Sequence, residues 1–522
     1  MSSLKKILIL AAFFNALSWI VLIPIWQYPD EQSHFAQVQG IAEHGNIPET
    51  GPDTSMEVAI SEKLLGTERD SLGNNQFTYH PFYHTDFTAN DKGLYEDFIS
   101  DLPQGARLEY VKREATHNPP LYHIMASNFY NIFSQHSLFA RVYIVRIFSV
   151  LLYLGLIVFS FSFSKMAFKN DKGAQACFPA LIAFAPMLVF STTGVLPDPL
   201  TILLFSAILT VGLKIITDRL NLILLLWLII LLTLGTFTRQ QFQIAVVPAI
   251  LPVIYGISKS LSKKTVVKVY SIMTIIFLAS ALFSLWRGLL PFDIPEVGRA
   301  NPRLLFTAGF AQYIASTLKQ YYGQTLPWYW GVYKWLSLTI PHIYYQIINR
   351  VILASLLGLL IRAFFILKEK KLQKVDLIVL YLTLSSAAYF MVFIIWDFYF
   401  QRIYHYPFGI QGRYFLPLVF ANTAVLLFGL RELVIRFLKR YLSVFYFLLA
   451  LAVILFNDIS LSFVASTYYD ADLKNLVNQV SQYKPTILKG NIIAVIVLLA
   501  LFFQAVYLLK LLRQLKTNYE SN

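Results

Sequence analysis

Trp26 to Pro48 reads WQYPDEQSHFAQVQGIAEHGNIP and begins where the first hydrophobic segment runs out. Asp30 and Glu31 are adjacent carboxylates, and His34 follows within one helical turn, so on a helix all three lie near one another. A carboxylate beside an imidazole can take a proton from a hydroxyl or ligate a divalent cation such as Mg or Mn. The spacing leaves those uses open beside a plainer one: acids in a first turn cap backbone N–H groups and complement the helix dipole.

Other short polar groups interrupt apolar sequence. Val195-Leu196-Pro197-Asp198-Pro199 presents one carboxylate in a tight turn, which turn chemistry alone would also explain. Thr238-Arg239-Gln240-Gln241 carries a cation with no acidic neighbour, so Arg239 needs an anion from elsewhere, a lipid headgroup or a substrate phosphate. Arg413 in Gln411-Gly412-Arg413-Tyr414 is equally unpartnered in sequence, and Gly412 permits close backbone approach. Pro327 to Trp335, reading PWYWGVYKW, is dense in aromatics that suit an interfacial belt or a sugar face, with Lys334 as another cation.

The elements that must position these groups are transmembrane helices. The 522 residues are 57% hydrophobic and 14% charged, against about 25% charged in soluble domains. The chain therefore reads as an all-α polytopic integral membrane protein. Apolar runs of roughly 16–25 residues predict about twelve spans: 7–25, 140–164, 176–195, 199–216, 222–237, 244–257, 266–286, 343–367, 375–396, 414–430, 441–456 and 492–509. The net charge of +14 falls in short clusters between the runs, a positive-inside pattern rather than a nucleic-acid surface. Met1 to Ile25 reads as a retained anchor rather than a cleaved leader. Both termini are then cytoplasmic, and long loops at 26–139, 287–342 and 457–491 lie outside. From Pro29, Phe35, Val38, Ile41 and Ala42 recur at helical spacing, predicting an amphipathic helix on the membrane surface. A second interfacial helix is expected from Asn118-Pro119 to about Phe133. Cys177 is the only cysteine, which excludes an intrachain disulfide.

The acidic pair after the first span, the His117-x-Pro-Pro-Leu-Tyr segment and the span pattern resemble the GT-C glycosyltransferases, the superfamily of protein mannosyltransferases and aminoarabinose transferases. Trp330-Gly331-Val332-Tyr333-Lys334-Trp335 and Gln411-Gly412-Arg413-Tyr414 are similar to one bacterial branch, domain-of-unknown-function family 2142. The resemblance implies a single GT-C-like membrane domain over 1–522. It implies Asp30 as catalytic base or metal ligand with Glu31 beside it, and Asp198 as a second acidic ligand. Arg239 and Arg413 would hold a donor phosphate, and His34, His117, Trp330, Lys334 and Tyr414 would bind substrate. Two departures stand out: Tyr333-Lys334-Trp335 replaces an expected Phe-Gly-Trp, and Leu196-Pro197-Asp198 an expected Asn-Pro-Asp. No large soluble domain follows the last span, so acceptor recognition is expected from the loops or a partner.

The function expected is sugar transfer from a polyprenyl-phosphate donor to an envelope glycan, lipid or protein at the outer leaflet of the plasma membrane. The partners are then the bilayer, the lipid-linked donor and the acceptor, with no nucleic acid. A lipid-linked sugar transporter and a noncatalytic envelope scaffold are the alternatives. A transporter predicts ionisable groups near the bilayer midplane, whereas here the polar groups fall at span ends.

Overall fold

The computed structural model describes residues 2–46, 50–70, 73–80, 89–114, 119–260, 302–406, 409–469 and 473–520. Among them, nine helices are long and apolar enough to cross a membrane. They are built on α1 (Ser2–Leu22), α7 (Leu138–Ala167), α10 (Asp198–Thr217), α12 (Val246–Ser260), α15 (His342–Glu369), α16 (Lys374–Tyr404), α17 (Val419–Phe437), α18 (Leu442–Ser466) and α20 (Ile492–Glu520). Short 3-10 turns at Gln240–Ala245 and Gly412–Leu418 begin α12 and α17.

The twelve expected spans are accounted for as follows. Nine are these helices. The segment expected at 176–195 is a pair, α8 (Lys172–Ala183) and α9 (Pro186–Thr193), bent by 51°. The break follows from Pro186, which has no N–H to continue the ladder and holds Ala185 extended. The one expected at 222–237 is the 15-residue α11 (Leu222–Thr236), and 266–286 lies outside the described residues. The loop expected from 457 begins later, because α18 continues to Ser466.

Between α1 and α7 lies a lobe of α2 (Glu31–His44), α3 (Met56–Leu65), α4 (Ala89–Ser100), α5 (Gly105–Leu108) and α6 (Leu121–Ile132), with β1 (Thr54–Ser55) antiparallel to β2 (Tyr110–Lys112). Of the apolar stripe of α2, Phe35 and Val38 are fully covered, and Ile41 and Ala42 near its end are half-buried. Its polar side is covered too, which differs from a helix lying at a lipid surface. Gln39 donates to Glu57 at 3.0 Å and accepts from Ser55 at 2.7 Å, and Gln32 donates to the Thr67 carbonyl at 3.2 Å. Periodicity distinguishes apolar from polar surroundings, and the lobe supplies polar surroundings as water would.

Beyond α12, α13 (Ala308–Gln320) and α14 (Leu326–Trp330) lead into a hairpin of β3 (Val332–Tyr333) and β4 (Leu338–Thr339); α19 (Leu473–Ser481) precedes α20. The hairpin turn runs through Lys334, Trp335 and Leu336, all left-handed with φ of 50°, 53° and 64°. Such φ values are uncommon for non-glycine residues. Trp335 Nε1 donates to the Trp26 carbonyl at 3.0 Å, tying this turn to the exit of α1. At the other side of the bundle α1 packs along α20. Asn15 and Asn457 exchange side-chain hydrogen bonds of 2.7 and 3.3 Å between α1 and α18, a polar lock of the kind that joins helices in apolar surroundings.

Candidate functional site

The adjacent carboxylates part company at one backbone angle. Asp30 immediately precedes α2 with φ 56° and ψ 17°, and its side chain makes no capping bond, so the capping role open in the sequence is not the one it fills. Its carboxylate is 34% exposed and bridges two guanidiniums: Oδ1 to Arg69 at 2.9 Å and Oδ2 to Arg413 at 3.0 Å. Glu31 turns the other way and is fully buried. It forms a two-point ion pair with Arg146 at 2.8 and 2.6 Å, and it accepts from the N–H groups of Trp26 and Val195 at 3.0 and 3.2 Å. Arg146 in turn donates to the carbonyls of Ile20, Ile23 and Pro24, tying down the end of α1. Glu31 is thus a structural anchor rather than a neighbour of Asp30 in the open site.

Asp198, Arg239 and Arg413 come together across three elements. Asp198 opens α10 behind Pro197, Arg239 is extended just before the 3-10 turn at 240–245, and Arg413 lies in the turn at 412–418. Asp198 and Arg239 are ion-paired. The Tyr414 ring is near both cations, 5.8 Å from Arg239 and 5.5 Å from Arg413, a range for cation–π attraction. Asp198, Arg239, Arg413 and Tyr414 line one cleft with Phe393 and Pro417. Arg413 is 6% exposed, and its Nε is buried without a hydrogen-bond partner. Gly412 is required beside it: a Cβ there would collide with the backbone of Trp328 and Tyr329.

His34 joins this cluster from α2 and meets a residue that the sequence did not single out, His123 of α6. His34 Nδ1 is 3.3 Å from His123 Nε2, with the rings inclined by 29°. Burial, followed by His123, holds the His34 pKa well below 6.5, against the pull of Asp30. Burial lowers His123 to about 3. Burial pushes Asp30 upward, but Arg413 and Arg69 outweigh it and bring the carboxyl to about 2.

These shifts predict acid lability. Both histidines bind protons more readily unfolded than folded, so stability is full above 6.5 and is lost as pH falls from there toward 3. The Asp30 contribution is lost only below 3.8, in the same direction. A thermal melt of detergent-solubilised protein should therefore decline between those limits in wild type and flatten in His34→Gln/His123→Gln. An unchanged slope would refute the assignment.

Several expected residues lie elsewhere. Lys334 is fully buried in the hairpin turn, donates to the Thr467 carbonyl at 3.3 Å, and burial lowers its amine to about 8. Trp330 lines a separate apolar groove with Tyr329, Phe390, Phe415 and Leu418. His117 lies outside the described residues. Sequence reasoning passed over Arg69, Arg146 and His123. Arg146 had left a signal, an arginine inside an apolar run, where a charge marks a buried partner. Arg69 left none in the polar lobe. It also donates to Glu114 at 2.6 Å, and Glu62 behind it is pushed up to about 9 by burial and by Glu114.

The residues do not fit a divalent cation between Asp30 and Asp198. Asp30 is already neutralised by two guanidiniums and Asp198 by a third. A cation entering there would meet Arg239 and Arg413 as like charges. No cluster of three or more His, Cys, Asp or Glu residues able to hold a metal occurs among the described residues.

Comparison with known proteins gives one family. No curated protein matches the chain. Among solved structures, the oligosaccharyltransferase AglB from Archaeoglobus fulgidus, in complex with an inhibitory peptide and a dolichol-phosphate, is 13% identical with a TM-score of 0.43, over 89% of this chain and 56% of that one. The Archaeoglobus fulgidus oligosaccharyltransferase complex with Zn and sulfate is 15% identical with a TM-score of 0.41, over 88% and 53%. The chain thus spans just over half the length of these solved proteins. The model of the predicted membrane protein family DUF2142 matches residues 13–422, most of the chain, which belongs to that family.

Proposed function

We propose that this protein is a membrane glycosyltransferase that moves a sugar from a polyprenyl-phosphate donor to a cell-envelope glycan, lipid or protein at the outer leaflet of the plasma membrane. One observation carries the reading: Arg239 and Arg413 flank one cleft at the end of the bundle, beside an apolar groove. The Phe415 ring borders that groove and lies 5.4 Å from Phe393, which lines the cleft. A ligand with a charged phosphate and a long apolar tail suits that pairing.

Each part has a chemical task. The leaving group of a prenyl-phosphate sugar is a phosphate, which needs positive charge more than a proton. Arg239 and Arg413 supply that charge, with the Arg413 Nε still available to donate. Tyr414 offers its ring to both cations. Asp30 holds Arg69 and Arg413 in place, and the Trp330 groove receives the prenyl chain. Glu31, through Arg146, keeps the exit of α1 in register beneath them.

The test is envelope glycan composition by mass spectrometry in a deletion strain complemented with wild type or Asp30→Asn at matched protein levels. One sugar should be missing from the deletion strain and restored by wild type, with its prenyl-phosphate form accumulating in the absence of transfer. Asp30→Asn removes the charge that orients two arginines and should restore only a minor part. An unchanged glycan in the deletion strain would remove the transferase reading, and prenyl-phosphate sugar trapped on the inner leaflet would favour a transporter.

A further inference from the structure

We propose that His34, held by His123, takes the proton from the acceptor hydroxyl. This inference rests on the transfer reading above and names the base that the reaction requires. Sequence pattern alone favours Asp30, but geometry withdraws each nearby carboxylate. Both oxygens of Asp30 are engaged by Arg69 and Arg413, Asp198 is engaged by Arg239, and Glu31 is buried against Arg146. A carboxylate so held is a weak base.

The imidazole pair supplies what they lack. Two neutral rings meeting nitrogen to nitrogen share one hydrogen. The His123 Nδ1 is buried with no well-aligned partner, and the Pro119 carbonyl one turn earlier favours a proton on that ring. With the His123 hydrogen on Nδ1, its Nε2 is bare and accepts from Nδ1–H of His34 at 3.3 Å. This tautomer leaves the lone pair of His34 on Nε2, the ring nitrogen that does not face His123. His34 stands beside the proposed phosphate site through Asp30: its N–H donates to the Asp30 carbonyl at 3.1 Å, and the Asp30 carboxylate holds Arg413 at 3.0 Å. The charged and titratable groups acting on it are His123, Asp30, Arg239 and Arg413.

The two functions are coupled through charge. In the free protein, burial, then His123 and the arginines, keep His34 neutral. A donor phosphate between Arg239 and Arg413 offsets the charges that oppose protonation, which makes His34 more basic when the donor is bound. The acceptor oxygen then bonds to the anomeric carbon as the bond from that carbon to the phosphate oxygen breaks. Its electron pair leaves on the phosphate, held by the two arginines. The hydroxyl proton passes to Nε2 of His34, while Nδ1–H of His34 keeps donating to Nε2 of His123, and the proton returns to water with product release.

The experiment uses membranes of the deletion strain, which hold accumulated donor lipid, supplemented with purified full-length variants. Donor consumption is followed by mass spectrometry across pH, and binding of undecaprenyl phosphate is measured in parallel as a check on folding and phosphate recognition. His34→Gln should lose about 10²-fold or more in rate while binding undecaprenyl phosphate within about threefold of wild type. His123→Gln frees the tautomer and should displace the acidic limb of the rate profile. In His34→Gly, added imidazole should restore part of the rate. Full activity in His34→Gln, or no imidazole rescue in a His34→Gly protein that binds undecaprenyl phosphate normally, overturns the role of His34. Failure of wild type to consume any donor removes the transfer reading itself, so the two failures are distinguishable.

Discussion

Under the proposed transfer, Arg413→Gln should lower the rate by about 10²–10³-fold, the loss typical of removing one group that stabilises developing negative charge. Arg413 has one nitrogen on Asp30 and another buried without a partner, and it shares the cleft and the Tyr414 ring with Arg239. Its guanidinium can therefore stay anchored to Asp30 while Nε meets an anion. Lysine carries the charge but cannot hold both contacts in a fixed plane, so Arg413→Lys should recover little of the rate. Donor consumption in deletion-strain membranes, with undecaprenyl phosphate binding alongside, reads both variants. Binding should weaken with the rate, because the phosphate is present in ground and transition states alike. Near-normal rates in Arg413→Gln would show that the cleft handles no leaving phosphate.

Arg146→Met should destabilise the protein by about 3–5 kcal/mol, the range for stripping one partner from a buried ion pair. Arg146 and Glu31 are both fully covered, and their contacts reach Ile20, Ile23, Pro24, Trp26 and Val195. The single variant leaves Glu31 as a buried charge with only two N–H donors. Glu31→Leu/Arg146→Met removes both charges and should regain a large part of the loss. Denaturation in detergent micelles measures this. A loss under about 1 kcal/mol in Arg146→Met would mean that the pair is solvated in the folded protein.

Some of this was legible in the sequence, and the reasons are specific. Long apolar runs give the spans because backbone groups in lipid must be satisfied within the helix. Arg239 and Arg413 were legible as cations without local partners, although their partners, Asp198 and Asp30, come from distant segments. The separation of Asp30 from Glu31 was not legible, because it turns on one left-handed φ that tertiary contacts impose. His34 was visible but His123, 89 positions later, was not paired with it. Lys334 looked like one more cation and instead lies under its own hairpin, since sequence does not show whether a cation between aromatics points outward or inward.

The lengthwise packing of α1 against α20, with Lys510 donating to Ser3 at 2.8 Å near their far ends, has a consequence for biogenesis. Chains emerge N-terminus first at about 5–20 residues per second, so α1 enters the membrane tens of seconds before its principal neighbour exists. For most of that interval its polar Asn15 has no Asn457 to meet, since α18 is also made late. Insertase or chaperone occupancy of this face would bridge the delay. A ribosome stalled before residue 492 would leave α1 exposed to quality-control proteases, and the docking of α20 would mark the point at which α1 becomes resistant to them.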